Sequence, residues 1–128
     1  MTLEVFTVKA TKKRGKFDLY AEIKKLVKEN GLSFKEGDVL VISSKYVSNS
    51  QGRVLNHGEI RPSEKANELS KEFSINNELS EVIIRESDFI FGGVSGFVIA
   101  STDNIMAPNA GIDKSNSQNQ LILYPHSP

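Results

Sequence analysis

The sequence predicts an α+β fold, and three observations carry that expectation. Apolar residues recur at helical spacing in the first two thirds of the chain, the period changes to two in the last third, and no long linker separates the halves. A mixed sheet with about three helices and a strand-rich last third is the expected architecture. With 128 residues, 38% of them hydrophobic, the chain has the size of one domain able to bury a core, and no internal boundary is expected over 1–128.

The elements follow in order. "LEVFTV" (3–8) is rich in β-branched and aromatic residues and reads as a strand, and "KATKKRGK" (9–16), with five basic groups and no apolar period, reads as a loop. Asp18 caps an expected helix over 18–30, in which Leu19, Ile23, Leu26 and Val27 fall on one face and "NG" supplies the stop. "DVLVIS" (38–43) is nearly continuous in apolar character, as a central strand buried on both faces would be. A helix over 62–73 is expected from Pro62 in its first turn and from the stripe Ala66, Leu69, Phe73. Another over 76–87 has Asn76 as its cap, with Leu79, Val82 and Ile83 facing inward. "DFIFG", "GFVIAST", "NIMAP" and "QLILYP" (120–125) then read as strands, with "GVSG" and "TDN" as turns.

Composition narrows the function. Sixteen basic and sixteen acidic side chains cancel, so long-range attraction to nucleic acid or an anionic membrane is not expected. The absence of cysteine excludes disulfides and thiolate metal sites. "MTLEVFTVKA" lacks the apolar region of a signal peptide, and no apolar run nears the roughly 20 residues of a membrane span. A cytoplasmic protein is the expectation.

Two stretches interrupt the core-forming pattern. "SSKYVSNSQGR" (43–53) gathers Ser43, Ser44, Ser48, Lys45 and Arg53 directly after an expected buried strand, where α/β sheets commonly hold ligands; serines in loops also simply bond their own backbone. "PNAGIDKSN" (108–116) holds one carboxylate, Asp113, among small and polar residues. It suits either an Asx-bonded glycine turn or one wall of a metal and phosphate site. His57 and His126 have no partners at metal or triad spacing and read as surface residues. "GGVSG" (92–96) reads as a hairpin turn.

Taken in order, "EVFTV", "GDVLVISSKYVSNSQGR", "RPSEKANEL", "EVIIRES" and "PNAGIDKSN" followed by "LILYPHSP" resemble successive segments of the amino-terminal part of the coenzyme F420-0:L-glutamate ligase family. The resemblance covers almost the whole chain. It implies a GTP- and divalent-metal-dependent amide ligase of F420 biosynthesis that adds L-glutamate to the lactyl carboxylate of F420-0, then a second through a γ linkage. By the resemblance, Asp113 falls on the metal-binding aspartate and Asn116 on a nucleotide-contacting asparagine. Ser44 and Lys45 fall on a nucleotide-contacting pair. GTP as substrate, Mg2+ or Mn2+ with K+ as a further cation, F420-0 and L-glutamate as substrates, and a homodimer are what the family implies.

The sequence departs from the family in two places. Asn49 stands in "VSNSQGR" where many relatives read "VSKAEGR", removing one phosphate-facing cation, and "TKKR" (11–14) stands where the family has an "LPEI"-like nucleotide loop. Family members also continue past the length of this chain. The expectation is therefore a ligase whose amino-terminal part is this chain, inactive alone, associating through an unpaired edge of the strand Leu121–Tyr124. The alternative is a non-catalytic nucleotide-binding or interaction module derived from that family.

Overall fold

The computed structural model describes residues 2–114 and 119–127. Helices α1 (Leu19–Glu29), α2 (Ser44–Ser50), α3 (Glu64–Phe73) and α4 (Asn77–Glu86) precede most of the strands. The strands are β1 (Val54–Asn56), β2 (Phe89–Val94), β3 (Phe97–Thr102), β4 (Ile105–Pro108) and β5 (Gln120–Ile122). They form two antiparallel sheets, a three-stranded one in the order β2-β3-β4 and a two-stranded one pairing β1 with β5. The α+β expectation holds, with a fourth helix and with strands concentrated in the last third.

The helices form where capping and period agree. Asp18 accepts from the Ala21 N–H at 3.0 Å to start α1, and Asn30 returns its own N–H to Leu26 before Gly31 turns left-handed at φ 66°. Ser63 caps α3, leaving Pro62 one residue outside the helix, and Asn76 caps α4 through the N–H groups of Glu78 and Leu79. Leu79, Val82 and Ile83 are at most 1% exposed and meet the inner face of β3, where Val98 and Ala100 are fully buried. Leu121 and Leu123 close the same core from the other sheet.

The three-stranded sheet turns through Asp103 and Asn104, both with positive φ, as a tight two-residue hairpin requires. Gly93 on β2 stands opposite Val98. A Cβ there would lie 2.4 Å from the Phe97 carbonyl oxygen and 3.1 Å from a Phe73 ring carbon, so its absence lets α3 seat on the hairpin. A bulge between Ile90 and Gly92 brings Phe89 and Phe91 into edge-on contact at 4.8 Å, on a surface that also exposes Val94 and Met106.

Two expected strands are absent. Residues 3–8 and 38–43 have no ladder partner among the described residues, and Leu3, Val5, Val39 and Val41 stand 75–87% exposed instead of buried. A run of β-branched residues records fitness for a half-buried pleated surface, and it becomes a strand only when another strand supplies the hydrogen bonds. "SSKYVSNS" forms the short helix α2 rather than a loop. The terminal strand is the converse case. Its edge was expected to be open, yet β5 pairs with β1 through Val54–Ile122 and Leu55–Leu121, while Ile122 exchanges two further hydrogen bonds with Asp113. β1, only three residues long, carries too little period to be read in advance.

Glu81 fastens α4 to the start of α3. Its Oε2 accepts from the Ser63 N–H at 2.8 Å and its Oε1 from Arg85 Nε at 2.7 Å. Hydrogen bonds from the Ser63 side chain and backbone, opposed by burial and helped by Arg85, lower its pKa to about 2. A depressed carboxylate stabilises the fold above its unfolded pKa, and that contribution is lost as pH falls toward 2. Acid titration followed by circular dichroism should therefore show E81Q less stable than the wild-type chain at neutral pH, with the gap closing below about pH 4. A gap that stays constant down to pH 2 would sink this assignment. Leu121→Ala, which hollows the junction of the two sheets, should cost about 2–5 kcal/mol in denaturant unfolding.

Candidate functional site

The carboxy-terminal segment organises the site by gripping α2 on one side and Asp113 on the other. The Ser48 hydroxyl, 1% exposed, donates to the Leu123 carbonyl at 2.7 Å, the Leu123 N–H donates to the Arg53 carbonyl at 3.0 Å, and Arg53 Nε donates to the Tyr124 carbonyl at 3.1 Å. The Arg53 guanidinium also pairs with Glu86 at the end of α4. Gln51 completes the grip, donating through Nε2 to the His126 carbonyl at 2.7 Å and accepting from its N–H at 2.9 Å. Ser48 and Arg53, two of the polar groups gathered in the sequence, are thus committed to holding the backbone. Ser50 likewise bonds the Val47 carbonyl at 2.6 Å.

On the other side, Asp113 joins the same segment. Its N–H donates to the Ile122 carbonyl at 2.8 Å, and its carbonyl accepts from the Ile122 N–H at 2.9 Å. The backbone before it is left-handed at three successive residues, Asn109 (φ 51°), Ala110 (φ 53°) and Gly111 (φ 70°). Gly111 lies so close to Tyr124 that a Cβ would approach its ring to 2.9 Å, so glycine is required there on two counts.

These two anchors bring Lys45 and Asp113 together. Lys45 Nζ lies 2.7 Å from Asp113 Oδ2, with 39% and 35% of the respective side chains exposed. A pair this open to water contributes only about 0.2–1 kcal/mol, so it opens readily. Ser44 sits exposed beside it in the first turn of α2. Asn116 lies outside the described residues. Among the described residues, no cluster of three acidic or histidine side chains surrounds Asp113. Asp113 offers one carboxylate there, and a metal ion would compete with Lys45 for it. The His126 side chain is exposed, 3.3 Å from Asp103.

Two cavities adjoin α2. One, of about 570 Å³, is walled by Ile23, Leu26 and Val27 of α1 and by Leu40, Val41 and Ile42, with Lys45, Tyr46 and Asn49 at its α2 side. The other, of about 650 Å³, is bordered by Lys12, Lys13, Arg14 and Asn49 and has no acidic lining among the described residues. The 9–16 segment is a loop, as the sequence predicts, exposed at every residue except Lys13. Lys13 reaches a buried carboxylate, Glu22, at 2.6 Å, and lies 5.5 Å from the Phe17 ring, which contacts Tyr46 at 5.2 Å. Burial pushes the Tyr46 phenol up, assisted by Glu22 and opposed by Lys13. The Tyr46 hydroxyl and Glu22 Oε1 are buried without a protein hydrogen-bond partner among the described residues. No spacing rule would have found this cluster, because Glu22 lies on the polar side of the stripe that identifies α1.

Residues 8–128 match the family described as F420-0:Gamma-glutamyl ligase. A coenzyme F420:L-glutamate ligase of Archaeoglobus fulgidus is 29% identical over 125 residues, covering 98% of this chain and 49% of the relative. Proteins of the same name from Methanopyrus kandleri and Methanococcus maripaludis are 31% and 34% identical, over 84% and 73% of this chain and 43% and 38% of theirs. The chain spans about half the length of the Archaeoglobus relative. No helix among the described residues is long and apolar enough to cross a membrane. With a family match that spans nearly all of its length, the chain belongs to the F420-0:gamma-glutamyl ligase family.

Proposed function

We propose that the chain forms the nucleotide- and metal-facing part of a ligase that joins L-glutamate to coenzyme F420-0 at the expense of GTP. The observation that carries this reading is the meeting of Lys45 and Asp113, distant in sequence, on one carboxy-terminal segment. A carboxylate is a poor electrophile. Transfer of the GTP γ-phosphoryl group to the F420-0 carboxylate gives an acyl phosphate and GDP, and attack by the glutamate amine then forms the amide and releases phosphate. Mg2+ or Mn2+ bound through Asp113 would neutralise the oxygens of the transferring group. Lys45, released from Asp113 as the ion binds, meets phosphate as a mobile point charge, with Ser44 and Asn116 as neutral contacts to the nucleotide. K+ belongs to the same proposal as a further cation.

Charge near the phosphates is supplied differently from relatives that carry lysine at the place of Asn49. Asn49 lines both cavities, and Lys45 and Lys12 line the first with it and Lys12, Lys13 and Arg14 the second. The homodimer belongs to the same reading. Its support is the exposed apolar surface of Phe89, Phe91 and Met106, since the terminal strand is already paired.

The direct test is mass spectrometry of F420-0 incubated with L-glutamate, GTP, Mn2+ and a polypeptide of the relatives' full length carrying this segment. Glutamylated F420-0 with matching GDP release is expected, and its absence would refute the ligase assignment. The 128-residue chain alone, presenting a single described carboxylate at this place, is expected to give no product. Asp113→Asn should weaken Mn2+-dependent nucleotide binding by about tenfold or more while leaving the circular dichroism spectrum unchanged. Equal affinity in calorimetry would return Asp113 to a purely structural turn. For self-association, light scattering at micromolar concentration should report a dimer, and a monodisperse monomer would contradict it.

A further inference from the structure

We propose that the face formed by residues 3–8, 38–43 and α1 docks β-strands of a polypeptide corresponding to the half of the relatives that this chain does not cover. The inference rests on the family match and on no reading of Lys45 or Asp113. Both runs border the 570 Å³ cavity, Val8 from one and Leu40 and Ile42 from the other, and the stripe Ile23, Leu26, Val27 of α1 faces them across it. Ile42 is half-buried there, whereas Leu3, Val5, Phe6, Val39 and Val41 stand in solvent. No residue of 3–8 or 39–42 has positive φ, and among the described residues none of their backbone groups enters a backbone hydrogen bond.

Exposed apolar side chains alone would fit many partners, but unpaired backbone groups narrow the choice. A helix laid on this face would bury those N–H and C=O groups unsatisfied, whereas an added strand pairs them and covers the side chains together. A run that is apolar at every residue, as 39–42 is, has the composition of a strand covered on both faces. The α1 stripe supplies one cover, and the occupant brings the other. A second copy is poorly equipped for that task, because its strands already pair among themselves and it brings the same two unpaired runs. The relatives have the length required. Alignment of 98% of this chain takes up 49% of the Archaeoglobus relative, which leaves about as many residues again without a counterpart here. The dimer surface at Phe89, Phe91 and Met106 lies on β2 and β4, and none of these residues lines the cavity, so the two surfaces can be filled independently.

The test follows amide hydrogen exchange at 3–8 and 38–43 by mass spectrometry, in the 128-residue chain and in the same chain co-expressed with the remainder of the Archaeoglobus relative. In the chain alone these amides should exchange at the unprotected rate at both about 5 and about 200 µM, and the co-expressed partner should slow them by about a hundredfold or more. Where the two pieces fail to assemble, joining them in one polypeptide carries the same expectation. The double variant Val39→Asp, Val41→Asp changes side chains that stand in solvent in the chain alone, so its circular dichroism should match wild type. With the partner present, its protection should fall back to the level of the chain alone, because docking would bury both charges. Protection that appears in the chain alone as its concentration rises assigns the face to a second copy and overturns the proposal. Fast exchange in both the co-expressed and the joined forms, or undiminished protection in the double variant, overturns it as well. Protection without glutamylated product refutes the proposed activity and leaves the docking standing.

Discussion

Everything at the candidate site depends on the backbone of Leu121 to Tyr124 being bonded on both sides. β1 holds one edge of this segment, and Asp113 takes both hydrogen-bonding groups of Ile122 from the other. The Ser48 hydroxyl and Arg53 then tie α2 to Leu123 and Tyr124. Because each bond is directional and largely shielded, α2 and the loop ending in Asp113 share one reference frame. Their side chains meet without packing against each other along any length. The Arg53–Glu86 pair extends that frame to α4 and so to the core.

Much of the fold could be read from local rules, because the features involved are local. Asp18 and Asn76 cap the helices expected of them, whereas α3 is capped by Ser63 and starts after Pro62, and the stripe Leu79, Val82, Ile83 is buried as its spacing implies. The failures share a cause. Residues 3–8 and 38–43 carry the composition of strands, but a strand is a relation between segments, and no described segment pairs with these. The open edge assigned to the terminal strand was wrong for the same reason, since β1 was too short to announce itself. Within the site, spacing marked 43–53 and 108–116 as unusual, but their convergence came from non-local bonds and was legible only through family resemblance. The buried bond from the Val98 amide to Asn109 Oδ1 is likewise non-local, and its neighbours in sequence do not reveal it.

The site also separates two uses of charge. Arg53 and Glu86 are 15% and 18% exposed and join elements that must not move, whereas Lys45 and Asp113 are about twice as open. Screening makes the second pair inexpensive to break. Lys13 and Glu22 fall between, with one member in solvent and the other buried beside Tyr46.

The left-handed run at Asn109, Ala110 and Gly111 limits how this loop can vary over evolutionary time. Backbone handedness acts there as a filter that precedes chemistry. Glycine is compelled at 111 by both φ and the Tyr124 ring, and a β-branched residue at 110 would meet a forbidden conformation and a closed core at once. Few single codon changes can pass both screens, whether or not the encoded enzyme still needs its substrate. Such a loop would keep its spelling long after selection on its activity had relaxed, so a preserved motif here measures inherited backbone geometry as much as retained function.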